Sequence, residues 1–315
     1  MKHAACHRMR QMKKLLYILS FLPFVAMSGL SGCKKTDAMP CDTDSVAIRL
    51  GVLPTIDCLP FYYADSTGIF DSLGIDVRLV TYDAAMDADT AFAKGYIDAI
   101  ATDLVKACLW EDTDSVRLVM NGDLRLWLVT ARNARLLKAE SLKEKIIGIT
   151  RHSAVDFFTD KVLESAKLKS IDLNKPQINN MKLRMLMTDQ NQYDGAILPE
   201  PHASEAVARG AKRLASTMEL NLHGLFCVAV SGSINRTRKA DADKLREAYD
   251  MAVRAINADT MISVCGYFPK EHAIYLPDTL FTYEPLNESA PPNDSIKQIV
   301  KAWLMERQLI KRNKK

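Results

Sequence analysis

From Ile48 to Met120 the chain alternates short apolar runs with helix-length segments, and this alternation constrains the fold more than any other feature. Ile48–Leu53, Ile75–Thr81 ("IDVRLVT"), Ile97–Ala101 and Val116–Met120 have the length and apolar character of strands. Pro60–Ser66, Met86–Lys94 and Leu104–Trp110 read as the helices between them, with Gly68 and Gly95 placed to end the first two. Such spacing predicts a mostly parallel sheet covered by helices. After "SLKEK" a second unit begins: a strand at Ile146–Thr150, an amphipathic helix at Ala154–Lys167 and a strand at Ala196–Leu198. Val228–Ser231 reads as a returning strand, Ala242–Ala258 as a long helix, and Asp294 to about Leu309 as a basic amphipathic helix beyond the proline-rich stretch Pro277–Pro292.

One sequence echo links the two units. "YIDAIATD" (Tyr96–Asp103) and "QYDGAILPE" (Gln192–Glu200) each follow a helix, open with an aspartate, pass through small and apolar residues and end on an acid. The echo fits two related lobes, and it equally fits any pair of buried α/β strands.

The N-terminus has its own grammar. Lys13 and Lys14 precede the apolar run Leu15–Met27, which Pro23 interrupts and which is short for a membrane span. Small residues follow, so residues 1–32 read as a secretory signal, with Met12 a more usual start than Met1. Leu30-Ser31-Gly32-Cys33 matches a bacterial lipobox, which makes Cys33 the expected lipidation site and 33–45 a polar tether. Two acyl chains hold a protein stably at a membrane, so the mature chain is expected in the cell envelope, facing the periplasm or the exterior. Lys2, Arg8, Arg10, Lys13 and Lys14 all precede Cys33, and removing them from the 42 basic residues leaves 37 against 38 acidic ones. The apparent net charge of +4 therefore belongs to the signal, and nothing resembles a nucleic-acid footprint. Cys41, Cys58, Cys108, Cys227 and Cys265 remain. Their number is odd and no C-x-x-C spacing occurs, so neither a metal site nor a cofactor is expected.

Four segments join the end of a strand to the start of a helix, where ligands gather in open α/β sheets. They are Thr55-Ile56-Asp57-Cys58, Thr102-Asp103, Arg151-His152-Ser153-Ala154 and Glu200-Pro201. Thr55, Asp57 and Asp103 can cap a helix or face a ligand. Ser153 with Asp156 forms a capping box, beside a helix N-terminus and a cation suited to an anion. Glu200 suits a donor-bearing ligand, or else an ion pair or a hinge anchor. Tyr62, Tyr63, Trp110 and Trp127 read first as core and second as stacking platforms.

These segments, taken in order, resemble the substrate-binding proteins of ABC importers for nitrate, sulfonates, taurine and thiamine precursors. The resemblance rests on "IRLGVLPTIDCLPFYYADSTGIFDSLGIDVRLV", "AFAKGYIDAIATD", "SLKEKIIGITRHSAVDFFTDKVLESAKL" and "YDGAILPEPHASEAVARGAKRLAST". It covers roughly residues 47–260. Glu144 stands where that family usually has glycine, and Asp57-Cys58 depart from its small polar or aromatic residues. The resemblance implies an α/β, two-lobed periplasmic binding protein fold (type II) with two crossing hinge segments near Val129–Ala131 and Val230–Gly232. Residues 46–130 plus 231–315 would form one lobe and 131–230 the other. It also implies a monomer that binds a small solute in the cleft and presents its closed form to an ABC permease and ATPase. Solutes of the thiamine-precursor pyrimidine, sulfonate or nitrate class, heterocyclic, zwitterionic or anionic, fit the four segments. Two rivals stand beside this non-enzymatic reading: an enzyme of the same fold acting on a pyrimidine or menaquinone precursor, and a ligand-sensing lipoprotein. A nucleophilic Cys58 would need a histidine base, and no histidine sits in a recognisable partner motif.

Overall fold

The computed structural model describes residues 47–111, 116–259, 263–272 and 284–311. The signal segment, Cys33, the tether with Cys41, the first part of the proline-rich stretch and the last four residues lie outside the described residues.

The strand and helix alternation builds two sheets. The first contains β1 (Ile48–Val52), β2 (Val77–Thr81), β3 (Ala99–Asp103), β4 (Val116–Gly122) and β9 (Phe226–Ser231), in the order β2-β1-β3-β9-β4. β1 runs parallel to β2 and β3, while β9 runs antiparallel to both β3 and β4. The second contains β5 (Leu126–Thr130), β6 (Ile147–Gly148), β7 (Gly195–Pro199) and β8 (Lys212–Ser216), in the order β6-β7-β5-β8. β1, β3, β7 and β9 are apolar almost throughout because helices or the other lobe cover both faces.

Helices α1 (Leu59–Ser66), α2 (Ala85–Ala93) and α3 (Leu104–Glu111) connect the first sheet. Gly68 and Gly95 follow α1 and α2 with φ of 73° and 72°, a conformation glycine adopts without the steric cost a Cβ brings. Helices α4 (Ala154–Ser165), α5 (Met181–Asp189) and α6 (His202–Ala208) belong to the second sheet. The 20-residue α7 (Lys239–Ala258) returns to pack Leu245, Tyr249, Val253 and Ile256 on the first core. The last helix, α8 (Asp294–Glu306), packs on α3 and also reaches α4, where Trp303 Nε1 donates to Asp160 at 2.9 Å.

The sequence echo is a structural repeat. Asp98 accepts from the Arg49 backbone amide at 3.0 Å and from the Arg49 guanidinium at 2.8 Å. Asp194 accepts from the Ile146 amide at 2.9 Å and from Lys145 Nζ at 3.3 Å. In each lobe, then, an acid just before the strand clamps the chain of its parallel neighbour through one backbone and one cationic donor. The closing acids repeat as well. Asp103 accepts from the Lys106 amide at the start of α3, and Glu200 from the Ser204 amide at the start of α6, both at 3.0 Å.

The chain changes sheets upstream of the expected crossings. β5 pairs with β7 and β8, so the first crossing is 123–125 rather than Val129–Ala131. β9 lies wholly in the first sheet, so the return is 217–225 rather than Val230–Gly232. A buried strand and a crossing segment share the same apolar, extended sequence, and only the pairing separates them. Thr217 ties the two crossings together: its hydroxyl donates to Leu124 O at 2.6 Å and accepts from the Leu126 amide at 3.2 Å.

Asp98→Ala and Asp194→Ala should each lower unfolding free energy by about 1–3 kcal/mol in urea titrations, because a backbone donor loses its acceptor. Asparagine at either position should recover part of that loss.

Candidate functional site

The strand ends of both sheets converge on a cavity of about 70 Å³. Of the expected residues, Thr55, Asp57, Cys58, Thr102, Asp103 and Ser153 line it. The loop between β1 and α1 carries the first three. Neither Thr55 nor Asp57 caps the short helical turn there. Asp57 reaches instead to the first crossing, where its Oδ1 accepts from the Arg125 amide at 3.0 Å. Its Oδ2 is buried with no hydrogen-bond partner. Burial pushes the Asp57 carboxyl up to about 7, although Arg125 opposes the shift.

Asp103 caps α3, accepting from the Lys106 amide at 3.0 Å, and its carboxylate lies beside the start of α4. Burial raises its pKa while that hydrogen bond and the charge of Lys106 oppose the rise. Ser153 caps α4, accepting from the Val155 amide at 3.2 Å while donating to Thr150 O at 2.7 Å. The capping role read from the sequence is thus real, and Ser153 still faces the cavity.

The remaining candidates stand elsewhere. Arg151 and His152 are exposed; Arg151 donates to Lys175 O at 3.2 Å, and the positive φ of 54° at His152 turns the chain outward. Ala154 is buried at the start of α4, beside Asp103. Glu200 pairs with Arg213 and caps α6, so it serves the ion-pair and anchoring role rather than the cavity. Pro201 follows Glu200 through a cis peptide bond and is buried, and Pro199 is the nearest residue of that segment lining the cavity. Ile56 and Glu200 meet directly, with the Ile56 amide donating to Glu200 O at 2.9 Å. Both border a second cavity of about 350 Å³, on the side where Arg213 stacks 4.5 Å above Trp127.

Tyr62, Tyr63 and Trp110 pack on other aromatic rings, whereas Trp127 borders the second cavity. Tyr62 packs on Phe268 and bonds Thr81 at 3.0 Å, Tyr63 packs on Tyr267, and Trp110 on Phe92. The aromatic side chain that does line the cavity is Phe226 of β9.

Two charged residues of the cavity were not among the expected ones. Arg184 is 2% exposed, and its one hydrogen bond among the described residues runs from Nη1 to Thr150 Oγ1 at 3.2 Å. Its Nε has no partner and it forms no ion pair among the described residues. Burial lowers its pKa to about 10, so it stays charged at neutral pH. Asp89 of α2 also lines the cavity, and burial pushes it up to about 7 against the opposing charge of Lys106. Lys106 Nζ stands 3.5 Å from Asp89 Oδ2, an ion pair without hydrogen-bond geometry, which leaves both carboxylate oxygens unbonded. A signal for each was present in the sequence. Met181, Arg184, Met185 and Thr188 form one buried helical stripe, interrupted by a charge, and Asp89 stands half-buried beside the buried Ala88, Ala91 and Phe92 of α2.

Hydrogen bonds join the lobes around the cavity, from the Ile56 amide to Glu200 O and from Asn179 Nδ2 to Met86 Sδ at 3.1 Å, so the cavity lies between the two lobes. Among the described residues no cluster of His, Cys, Asp and Glu is placed to hold a metal ion, and no helix is long and apolar enough to cross a membrane.

Comparison with solved structures gives the fold. The alkanesulfonate-binding protein from Xanthomonas axonopodis pv. citri bound to MOPS superposes with a TM-score of 0.72 at 15% identity, over 85% of this chain and 95% of that one. The periplasmic nitrate-binding protein from Synechocystis PCC 6803 gives 0.68 at 12% identity, over 86% and 83%. An ABC transporter protein from Parabacteroides distasonis gives 0.58 at 16%, over 86% of this chain and all of that one. No family model and no curated protein matches the sequence. The chain thus has the two-lobed periplasmic binding protein fold foreseen from its motifs.

Asp57 should make stability fall as pH rises. Its folded pKa of about 7 lies above the ordinary 3.8, so the stability it leaves intact below pH 4 is lost as pH climbs through 7. Relative to wild type, Asp57→Asn should gain on the order of 2–4 kcal/mol between pH 4 and pH 8. Chemical denaturation at both pH values checks this, and a constant difference would contradict it.

Proposed function

We propose that this chain is the extracytoplasmic solute-binding component of an ABC importer, tethered through lipid on Cys33 and acting as a monomer with a permease and ATPase. One observation carries the reading: an interlobe cavity holds charged side chains that the described residues leave partly unbonded. Burying polar groups without partners costs about 1–3 kcal/mol each. A fold that keeps them at the cleft has a binding use for them. The fold shared with sulfonate- and nitrate-binding proteins supports this reading, and so does the signal and lipobox pattern.

The site suits binding better than covalent chemistry. Cys58 is 1% exposed and its thiol is pushed up to about 12, mainly by burial, so the nucleophilic thiolate is suppressed. No histidine lines the cavity. In intact protein at pH 8, iodoacetamide should leave Cys58 unmodified until denaturant is added, as peptide mass mapping would show. Rapid labelling of Cys58 in the native state would favour the enzymatic alternative.

Thermal shift on protein lacking residues 1–33 tests the reading itself. A true solute at a hundred times its dissociation constant should add about 2.7 kcal/mol of stability. Pyrimidines, sulfonates, nitrate and amines form the screen. An unmoved melting temperature across all of them, or turnover of any one, would overturn the assignment.

A further inference from the structure

The unbonded atoms of the cavity specify what its ligand must offer. Asp57 Oδ2 and both oxygens of Asp89 are acceptors without donors, whereas Arg184 Nε is a donor without an acceptor. The Asp57 and Arg184 residues are each 2% exposed, so bulk water does not serve them. The charges lean the same way. Asp57, Asp89 and Asp103 face a space where the cations are Arg184 and, beside Asp89, Lys106. The group becomes net negative once Asp57 and Asp89, both raised to about 7, lose their protons, and an arriving cationic end favours that loss. The Asp103 carboxylate lies beside the α4 N-terminus, where an anion would otherwise be welcomed, and its charge opposes one there.

Resting on the solute-binding reading above, we propose that the ligand is a small zwitterion, bound with its ammonium or amidinium end between Asp57 and Asp89 and its anionic end on Arg184. A simple anion of the nitrate or alkanesulfonate kind would engage Arg184 and leave Asp57 and Asp89 without donors. The two ends divide between the lobes. Asp57 and Asp89 come from the first, in the β1–α1 loop and α2, and Arg184 comes from α5 of the second. Only a molecule carrying both charges engages both lobes at once, so charge recognition and cleft closure are a single event.

Proton exchange distinguishes this ligand from an anion by sign. Burial raises Asp57 and Asp89 to about 7; Asp57 faces Arg125 and Asp123, and Asp89 faces Lys106, Asp103 and Thr102. An arriving ammonium stabilises both carboxylates and drives protons off them. An anion arriving on Arg184 does the reverse.

Isothermal titration at pH 6.5, in buffers of different ionisation enthalpy, tests the proposal on protein lacking residues 1–33. The probes are two matched sets: 3-aminopropanoate with propanoate and propan-1-amine, and 2-aminoethanesulfonate with ethanesulfonate and ethylamine, plus nitrate. We expect at least one zwitterion to bind tenfold or more tighter than either partner lacking one charge, with protons released. Asp89→Asn and Arg184→Met should each weaken it at least tenfold, with circular dichroism and melting confirming that the variants fold. Should Arg184→Met fail to fold, Arg184→Lys serves, with a smaller loss expected. Tighter binding of a bare anion, or proton uptake on binding, overturns this proposal and leaves solute binding intact. Silence from every probe overturns it together with the solute-binding reading.

Discussion

Charge held away from water between two sheets is the constraint around which this molecule is arranged. Arg184 and Asp57 lie in the interlobe space with polar atoms unbonded, and Asp89 lies beside them in the same condition. Such groups weaken a fold unless something offsets their desolvation. The compensation is spread through the frame. Three acids outside the cavity are paired: Asp98 with Arg49, Asp194 with Lys145, Glu200 with Arg213. Among the described residues, four of the five buried polar side-chain atoms without a hydrogen-bond partner belong to residues lining the cavity, the fifth being His202 Nδ1.

The frame also explains why that place is a cleft. Each lobe repeats one plan, in which an acid before a central strand holds its parallel neighbour and an acid after it caps the next helix. The repeat presents strand ends and helix starts from both lobes toward each other. Two short crossings, cross-linked by Thr217, hold the lobes in register. The Arg125 amide, in the first crossing, is bonded to Asp57, so a cavity residue is tied directly to a segment that joins the two sheets.

Much of this was legible in the sequence because it is local. The strands β1 to β4 and the helices between them announce themselves by period and by glycine stops. The echo around Asp98 and Asp194 was visible as a pattern, though its physical content, two matched clamps on neighbouring backbone, needed the register. The crossings were misplaced because strand β5, "LWLVT", and a hinge both read as extended apolar chain. Site residues at strand ends were found where their backbone led: Thr55, Asp57, Cys58, Thr102, Asp103 and Ser153. Those failing to converge, Arg151, His152 and Glu200, sit on loops whose direction depends on a positive φ or on an ion pair with a distant residue. Arg184 and Asp89 were missed because they sit on helix faces, where a single charge in or beside an apolar stripe is the only local mark.

The central claim is that the charges of the interlobe cavity exist to hold a solute. Native mass spectrometry of the protein purified from its own cell envelope tests this most directly, compared with Arg184→Met purified alongside. The account predicts one small molecule, carrying both an amine-type nitrogen and an acid group, on the wild-type chain and absent from the variant. No bound molecule on either chain, or the same molecule retained equally by both, would contradict it.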